Sequence, residues 1–232
     1  MRRWVCLLAA AGGLLRTDGA AQAIVARAPT GTVSGRVTIL EKNNKPSSDL
    51  GDAVVWLDGG PAAPPAAGKF EVAISDKTFV PSVAVVTVGS TVSFPNHDPF
   101  DHNAFSVSDR NQFDLGLYGR GESKSRVFSV PGLVRVFCNV HPRMVAYIQV
   151  MGTRLFAQPG GDGSFSISHV PPGHYTLHAW HERSPSVSRD LVVPLQGVAD
   201  LQIQLDARGF HWVPHKNKFG KDYPTNAGRE RY

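Results

Sequence analysis

Val134-Arg135-Val136-Phe137-Cys138-Asn139-Val140-His141-Pro142-Arg143-Met144 begins as an alternating apolar strand and breaks into a short loop bearing a thiol, an imidazole and a thioether. Alternation with a period of two marks a strand with one face in a core. Two residues between Cys138 and His141 let one tight loop offer both side chains to a single ion, and two more bring Met144 round to an axial side. Every donor in this C-x2-H-x2-M run is soft or borderline. A methionine sulfur suits copper and is a poor partner for Zn2+, Mg2+ or Ca2+. Each residue also has a plainer reading on its own: Cys138 as an inert buried thiol, Met144 as core filling.

One more imidazole would complete such a site, and Val92-Ser93-Phe94-Pro95-Asn96-His97-Asp98-Pro99-Phe100-Asp101-His102-Asn103-Ala104-Phe105-Ser106 offers two, His97 and His102. At this point residues 69–151 resemble the cupredoxins, the type 1 blue copper proteins. In that family a strand ending in F-x-N precedes a loop with His-Asn, and a later C-x2-H loop closes the site. The short Cys138–Met144 loop looks most like that of amicyanin, which is shorter than the loop of plastocyanin. The resemblance implies His102, Cys138, His141 and Met144 as ligands of one type 1 copper ion, with His97 a solvated loop residue. It also implies that Asn103 ties the two ligand loops together by hydrogen bonds, and that His141 presents its ring edge at an apolar patch including Phe100 and Pro142, with Pro99 and Val140 as further members.

The rest of the chain reads as strands and turns. Phe70, Val72 and Ile74 alternate with polar or small residues, as do Val92 and Phe94, while Val83 to Val88 is a denser apolar run. Gly89-Ser90, Pro95-Asn96 and Pro131-Gly132 punctuate these stretches. Asp109 to Ser125, with Gly116, Gly119 and Gly121, reads as a long connection. The flanks are β-like too. Asp162-Gly163-Ser164-Phe165 and Pro171-Pro172-Gly173-His174-Tyr175 resemble the carboxypeptidase regulatory-like, transthyretin-type sandwich, and Gly35-Arg36-Val37 looks like its opening strand. Neither residues 30–60 nor 152–206 hold enough apolar strands to close two faces alone, so one sandwich interrupted by the 69–151 module is expected. His169, His174, His178 and His181 fall in this second module, but strand alternation spreads them over two faces and disfavours a shared metal site. The expected fold class is therefore all-β: a cupredoxin Greek-key β-sandwich plus a second small β-sandwich.

Composition agrees. Of 232 residues, 23 are Gly and 17 Pro, and only 19% are charged, which excludes a coiled coil, a helical bundle and a highly charged disordered chain. Arg2 and Arg3, the apolar stretch Trp4–Leu15 and Ala21-Gln22-Ala23 read as an export signal cleaved near Ala23, by general secretion or the twin-arginine route. Cys6 would leave with it, and Cys138 would then be a single cysteine in an oxidising compartment, unable to pair internally. No later apolar run approaches the roughly 20 residues of a membrane helix. Loss of residues 1–23 lowers the formal charge from +5 to +3, most of it in a basic, aromatic tail at 207–232, so no nucleic-acid-binding face is implied. Such a tail suits a solvated terminus or an acidic docking partner, although the four aromatics between Phe210 and Tyr223 argue for packing.

An exported electron carrier working with transient redox partners is the function that follows. A copper chaperone or store, and a cupredoxin-like structural module with no bound copper, are the other two readings. Paired acid and base residues for catalysis are not evident. The likeness to amicyanin and to methylamine utilization proteins suggests methylamine oxidation as a setting.

Overall fold

A computed structural model describes residues 29–224 apart from 43, 44, 46 and 62. The expected export signal and residues 225–232 lie outside the described residues. The chain is an all-β protein. In order its strands are β1 (Gly31–Leu40), β2 (Val54–Gly59), β3 (Lys69–Glu71), β4 (Ala73–Ser75), β5 (Thr78–Val80), β6 (Val83–Thr87), β7 (Ser90–Pro95), β8 (His102–Ser106) and β9 (Phe113–Tyr118). There follow β10 (Ser123–Phe128), β11 (Gly132–Phe137), β12 (Val145–Met151), β13 (Phe156–Ala157), β14 (Ser164–Val170), β15 (Gly173–His181), β16 (Ser184–Val193) and β17 (Val198–Asp206). No helix among the described residues is long and apolar enough to cross a membrane.

These strands enclose two cores. Sheets β14-β1-β17 and β13-β2-β15-β16 bracket one, filled by Val33, Val37, Leu57, Ile167, Tyr175, Leu177 and Leu205 among others. Sheets β10-β7-β3 and β6-β12-β11-β8-β9 bracket the other, around Phe94, Val134, Val136, Ile148 and Cys138. Alternation explains the sidedness: Tyr175, Leu177 and Ala179 are buried while His174 is exposed and Thr176 and His178 half-buried. The dense Val83–Thr87 run is buried on both faces, because Ala84 and Val86 enter the second core while Val83 and Val85 join Val54, Met151 and Trp180 between the two units.

Two expectations change. The 109–125 stretch contains β9 and the first half of β10, because Phe113, Leu115 and Leu117 alternate well enough for a strand, and Gly116, at φ +68°, accommodates the irregular register between β8 and β9. Continuous alternation from Phe70 to Ile74 also fails. The chain divides there into β3, which pairs with β7, and β4, which forms a hairpin with β5, leaving Phe70 38% exposed.

The junction of the two units contains a buried histidine. His181 is fully buried at the end of β15, with Nδ1 accepting the Arg183 backbone N–H at 3.2 Å and Nε2 3.5 Å from Asp49, too far for a good hydrogen bond. Burial pushes its pKa below the ordinary value, against the pull of Asp49 and Asp52 and with the help of Arg183. Protonation would also break the Arg183 bond. The folded form therefore binds fewer protons than the unfolded chain once pH falls below about 6.5, and stability is lost downward from there at up to about 1.4 kcal/mol per pH unit. His181→Gln should flatten that part of the profile when the metal-free protein is unfolded in urea at a series of pH values. An unchanged difference between neutral and mildly acidic pH would show that His181 does not set it.

Candidate metal centre

Three side chains from two loops meet at one end of the second core. His102 opens β8, Cys138 follows β11 and His141 lies three residues on, and their donor atoms all fall within 4.8 Å of one another. Cys138 Sγ is 3.7 Å from His102 Nδ1 and 3.8 Å from His141 Nδ1. All three are buried, His141 least at 6% exposure. Bonds of about 2.0–2.3 Å to a shared ion require donor separations of this size. The loop is closed on itself: Met144 N–H donates to the His141 carbonyl (3.1 Å), and Cys138 N–H to the Met144 carbonyl (3.3 Å). The Met144 side chain is buried in the same core as Cys138.

Burial and backbone donors act on Cys138 in opposite directions. Burial raises the Cys138 pKa above the ordinary thiol value more strongly than the backbone N–H groups of Asn103, Val140 and His141 lower it, so the metal-free side chain is a neutral thiol. A neutral thiol is a weak acceptor, so three N–H donors aimed at one sulfur suit an anion bound to a cation better than a free S–H.

His102 is oriented from behind. Its Nε2 lies 2.7 Å from Asp98 Oδ2, and burial holds the ring pKa below the usual histidine value more strongly than Asp98 raises it. The contact is thus a neutral ring donating Nε2–H to a carboxylate, which leaves the Nδ1 lone pair facing Cys138. Asp98 is itself fixed. Its Oδ1 accepts Asp76 N–H at 2.7 Å and its Oδ2 accepts Lys77 N–H at 2.9 Å, both from the tip of the β4–β5 hairpin. Asp76 and Lys77 have φ of 53° and 55°, so their successive N–H groups form a small anion-binding concavity. Burial pushes the Asp98 carboxyl up, but the Lys77 N–H, His102 and the Asp76 N–H together bring it below the ordinary carboxylate value.

The other residues singled out in the sequence take distinct places. His97 is exposed. Asn103 accepts Asn139 N–H at 3.3 Å and donates to Asp114 (2.8 Å) and the Gly116 carbonyl (2.9 Å), joining the two loops. Phe100 is half-buried, its ring 5.2 Å from that of His102 and 5.8 Å from that of His141, while Pro142 is half-buried and Pro99 exposed. His169, His174, His178 and His181 are not gathered into a cluster. Among the described residues, the group of three or more such donors close enough for one ion is the one at His102, Cys138 and His141.

Sequence reasoning missed two features: Asp98, and the path of the tail. Residues 211–224 cross the ligand loop instead of extending into solvent. Their signal was the aromatic content of the segment, which indicates packing but not where.

Comparison with known proteins gives structural neighbours only. No family model matches the chain, and no curated protein matches it. Solved structures to which it is similar include a purple cupredoxin from Nitrosopumilus maritimus, at 22% identity over 35% of this chain and 98% of that one, with a TM-score of 0.32. A copper-containing nitrite reductase from Thermus scotoductus SA-01 aligns at 30% identity over 40% of this chain, with a TM-score of 0.34. The chain spans about a quarter of that reductase, 24% of its length. A reduced mutant of amicyanin aligns at 22% identity over 42% of this chain and 98% of that one, with a TM-score of 0.35.

Proposed function

We propose that the protein is an exported type 1 copper protein that passes single electrons between redox partners. The observation that supports this reading is the convergence of His102 Nδ1, Cys138 Sγ and His141 Nδ1 at bonding separations in a buried pocket. In this reading those three atoms would hold the ion and the Met144 thioether would add a weak sulfur donor. Copper bound by such a set supplies a one-electron couple. The protein's contribution is rigidity. Asp98 fixes one imidazole, Asn103 ties the two loops, and the Cys138–Met144 loop closes on its own backbone. Donors held on both sides need little rearrangement when the charge between them changes. Exposure of 6% or less at each donor suits exchange of electrons better than entry of a substrate.

Phe100 and Pro142 reach the surface next to His141 and serve as the contact face for a partner, through a small interface that releases quickly. Residues 1–23 act as the export signal, placing the carrier in the periplasm. Residues 30–60 with 152–206 form a separate sandwich of carboxypeptidase regulatory-like type beside the copper module.

Addition of Cu(II) to the metal-free protein should give one bound copper, an intense blue thiolate absorption and a reversible one-electron couple. Preferential retention of Cu(I) and its transfer to an acceptor would favour a chaperone, and no retained copper would exclude the carrier. Met144→Leu is expected to keep the colour and raise the potential, since it removes a donor that stabilises the oxidised ion. Voltammetry of the two proteins checks this, and an unchanged potential removes Met144 from the site.

A further inference from the structure

We propose that residues 211–224 form the outer wall of this centre, and that His215 and Tyr223 are positioning residues which hold the ligand loop through its backbone. The inference rests on the metal-centre reading for its purpose, but its contacts stand apart from it. The strap bonds to the loop at three successive places. Tyr223 Oη donates to the Cys138 carbonyl at 2.8 Å, Lys218 N–H donates to Asn139 Oδ1 at 3.0 Å, and His215 Nε2 faces the His141 carbonyl at 3.3 Å, with its Nδ1 2.9 Å from the Lys216 carbonyl. Two of these acceptors are carbonyls of proposed ligands, and the third belongs to the residue whose N–H is held by Asn103.

Local chemistry explains the path. Asn217 Oδ1 accepts the N–H groups of Phe219 and Lys221, each at 3.0 Å, and Gly220 sits at φ +75°, so the chain reverses there and Tyr223 returns to the loop. His215 stacks on Phe137 with 4.5 Å between ring centroids and meets Tyr223 edge-on at 5.3 Å. At the rim the Arg143 guanidinium lies 5.3 Å over the Trp212 ring. Lys218 Nζ pairs with Asp114 at 2.6 Å, and Asp114 accepts from Asn103. Lys218, Asp114, Asn103 and Asn139 thereby close a ring of contacts linking strap, upstream ligand loop and downstream ligand loop. A merely adhering tail would not need to place side-chain groups at the carbonyls of both Cys138 and His141, the second of which already accepts Met144 N–H.

Cys138 reports on the wall without any metal. In the metal-free protein produced without residues 1–23, and so without Cys6, its thiol is titrated with an aromatic disulfide that releases a coloured thiolate. Wild type should react slowly, and Tyr223→Phe and His215→Phe each about tenfold faster, the effect of one lost hydrogen bond on a local opening equilibrium. His215→Gln, whose amide N–H can reach the same carbonyl, should restore the slow rate. Ending the chain at Phe210 leaves both cores intact and should accelerate the reaction further still. Rates within twofold of wild type in all four variants would overturn the inference, as would equal rates for His215→Phe and His215→Gln. A parallel copper titration separates the two readings. Loss of copper binding in wild type would sink the carrier while leaving the strap standing, whereas a copper site whose absorption is untouched in Tyr223→Phe, with an unaltered thiol rate, would sink the strap alone.

Discussion

Cys138→Ser is expected to abolish the blue absorption of the copper-loaded protein completely, with a small cost to the fold. The absorption is a transfer of charge from thiolate to metal, and a serine hydroxyl is a hard donor that stays protonated at neutral pH. Structural tolerance follows from the surroundings. Cys138 is fully buried, and its sulfur lies beside the His102 and His141 rings and faces backbone N–H groups of Asn103, Val140 and His141, for which a serine oxygen is a better acceptor than a thiol. Melting of the metal-free variant should therefore lie within about 1 kcal/mol of wild type. An absorption spectrum and a denaturation curve check both halves, and persistence of the band would strike Cys138 from the ligand set. His97→Ala and His102→Ala make the companion pair. The first alters an exposed ring and should leave the spectrum intact, while the second removes a buried donor 3.7 Å from the sulfur and should erase it.

The sequence made this much of the centre legible because its chemistry is local. Cys138 and His141 share one short loop whose strand is visible from its alternation, and their spacing brings the two side chains together, with Met144 closing the same loop through its backbone. His102 is singled out over His97 by the resemblance, whose motif has His followed by Asn; in the fold it begins β8, buried along its whole length, while His97 is exposed. What stayed hidden acts through backbone. Asp98 is anchored by two N–H groups of a hairpin tip, and no side chain at positions 76 and 77 announces that. The strap engages carbonyls of Cys138 and His141, which every residue possesses. In the same way β9 was read as a connection because its glycine masks a strand that the pairing with β8 tolerates at an irregular register. All-β architecture was legible from composition and turn residues, since those properties are spread along the whole chain.

Asp98→Ala should have the largest effect on stability of any change near the centre, about 2–3 kcal/mol in the metal-free protein, the scale of losing hydrogen bonds to a charged acceptor. The carboxylate is 5% exposed and receives three donors, so its loss leaves Asp76 N–H, Lys77 N–H and His102 Nε2–H without acceptors at once. The hairpin tip also loses the contact that holds two non-glycine residues at positive φ. Freed to rotate or to shift its proton to Nδ1, His102 would no longer present a lone pair beside Cys138, and copper affinity should fall by roughly 10–100-fold. Asp98→Asn is intermediate but informative. An amide has a single acceptor oxygen, and wherever its NH2 is placed it confronts either Asp76 N–H or Lys77 N–H together with the His102 ring. Placing it at the ring forces Nε2 to accept and Nδ1 to carry the proton, which faces the sulfur and obstructs binding. Asn should therefore recover part of the stability lost in Asp98→Ala but little of the affinity, as read by urea unfolding and by competition with a copper chelator. Full recovery of affinity in the asparagine variant would mean that the proton on His102 is not governed by Asp98, and that the ring is held by packing against Phe100 instead.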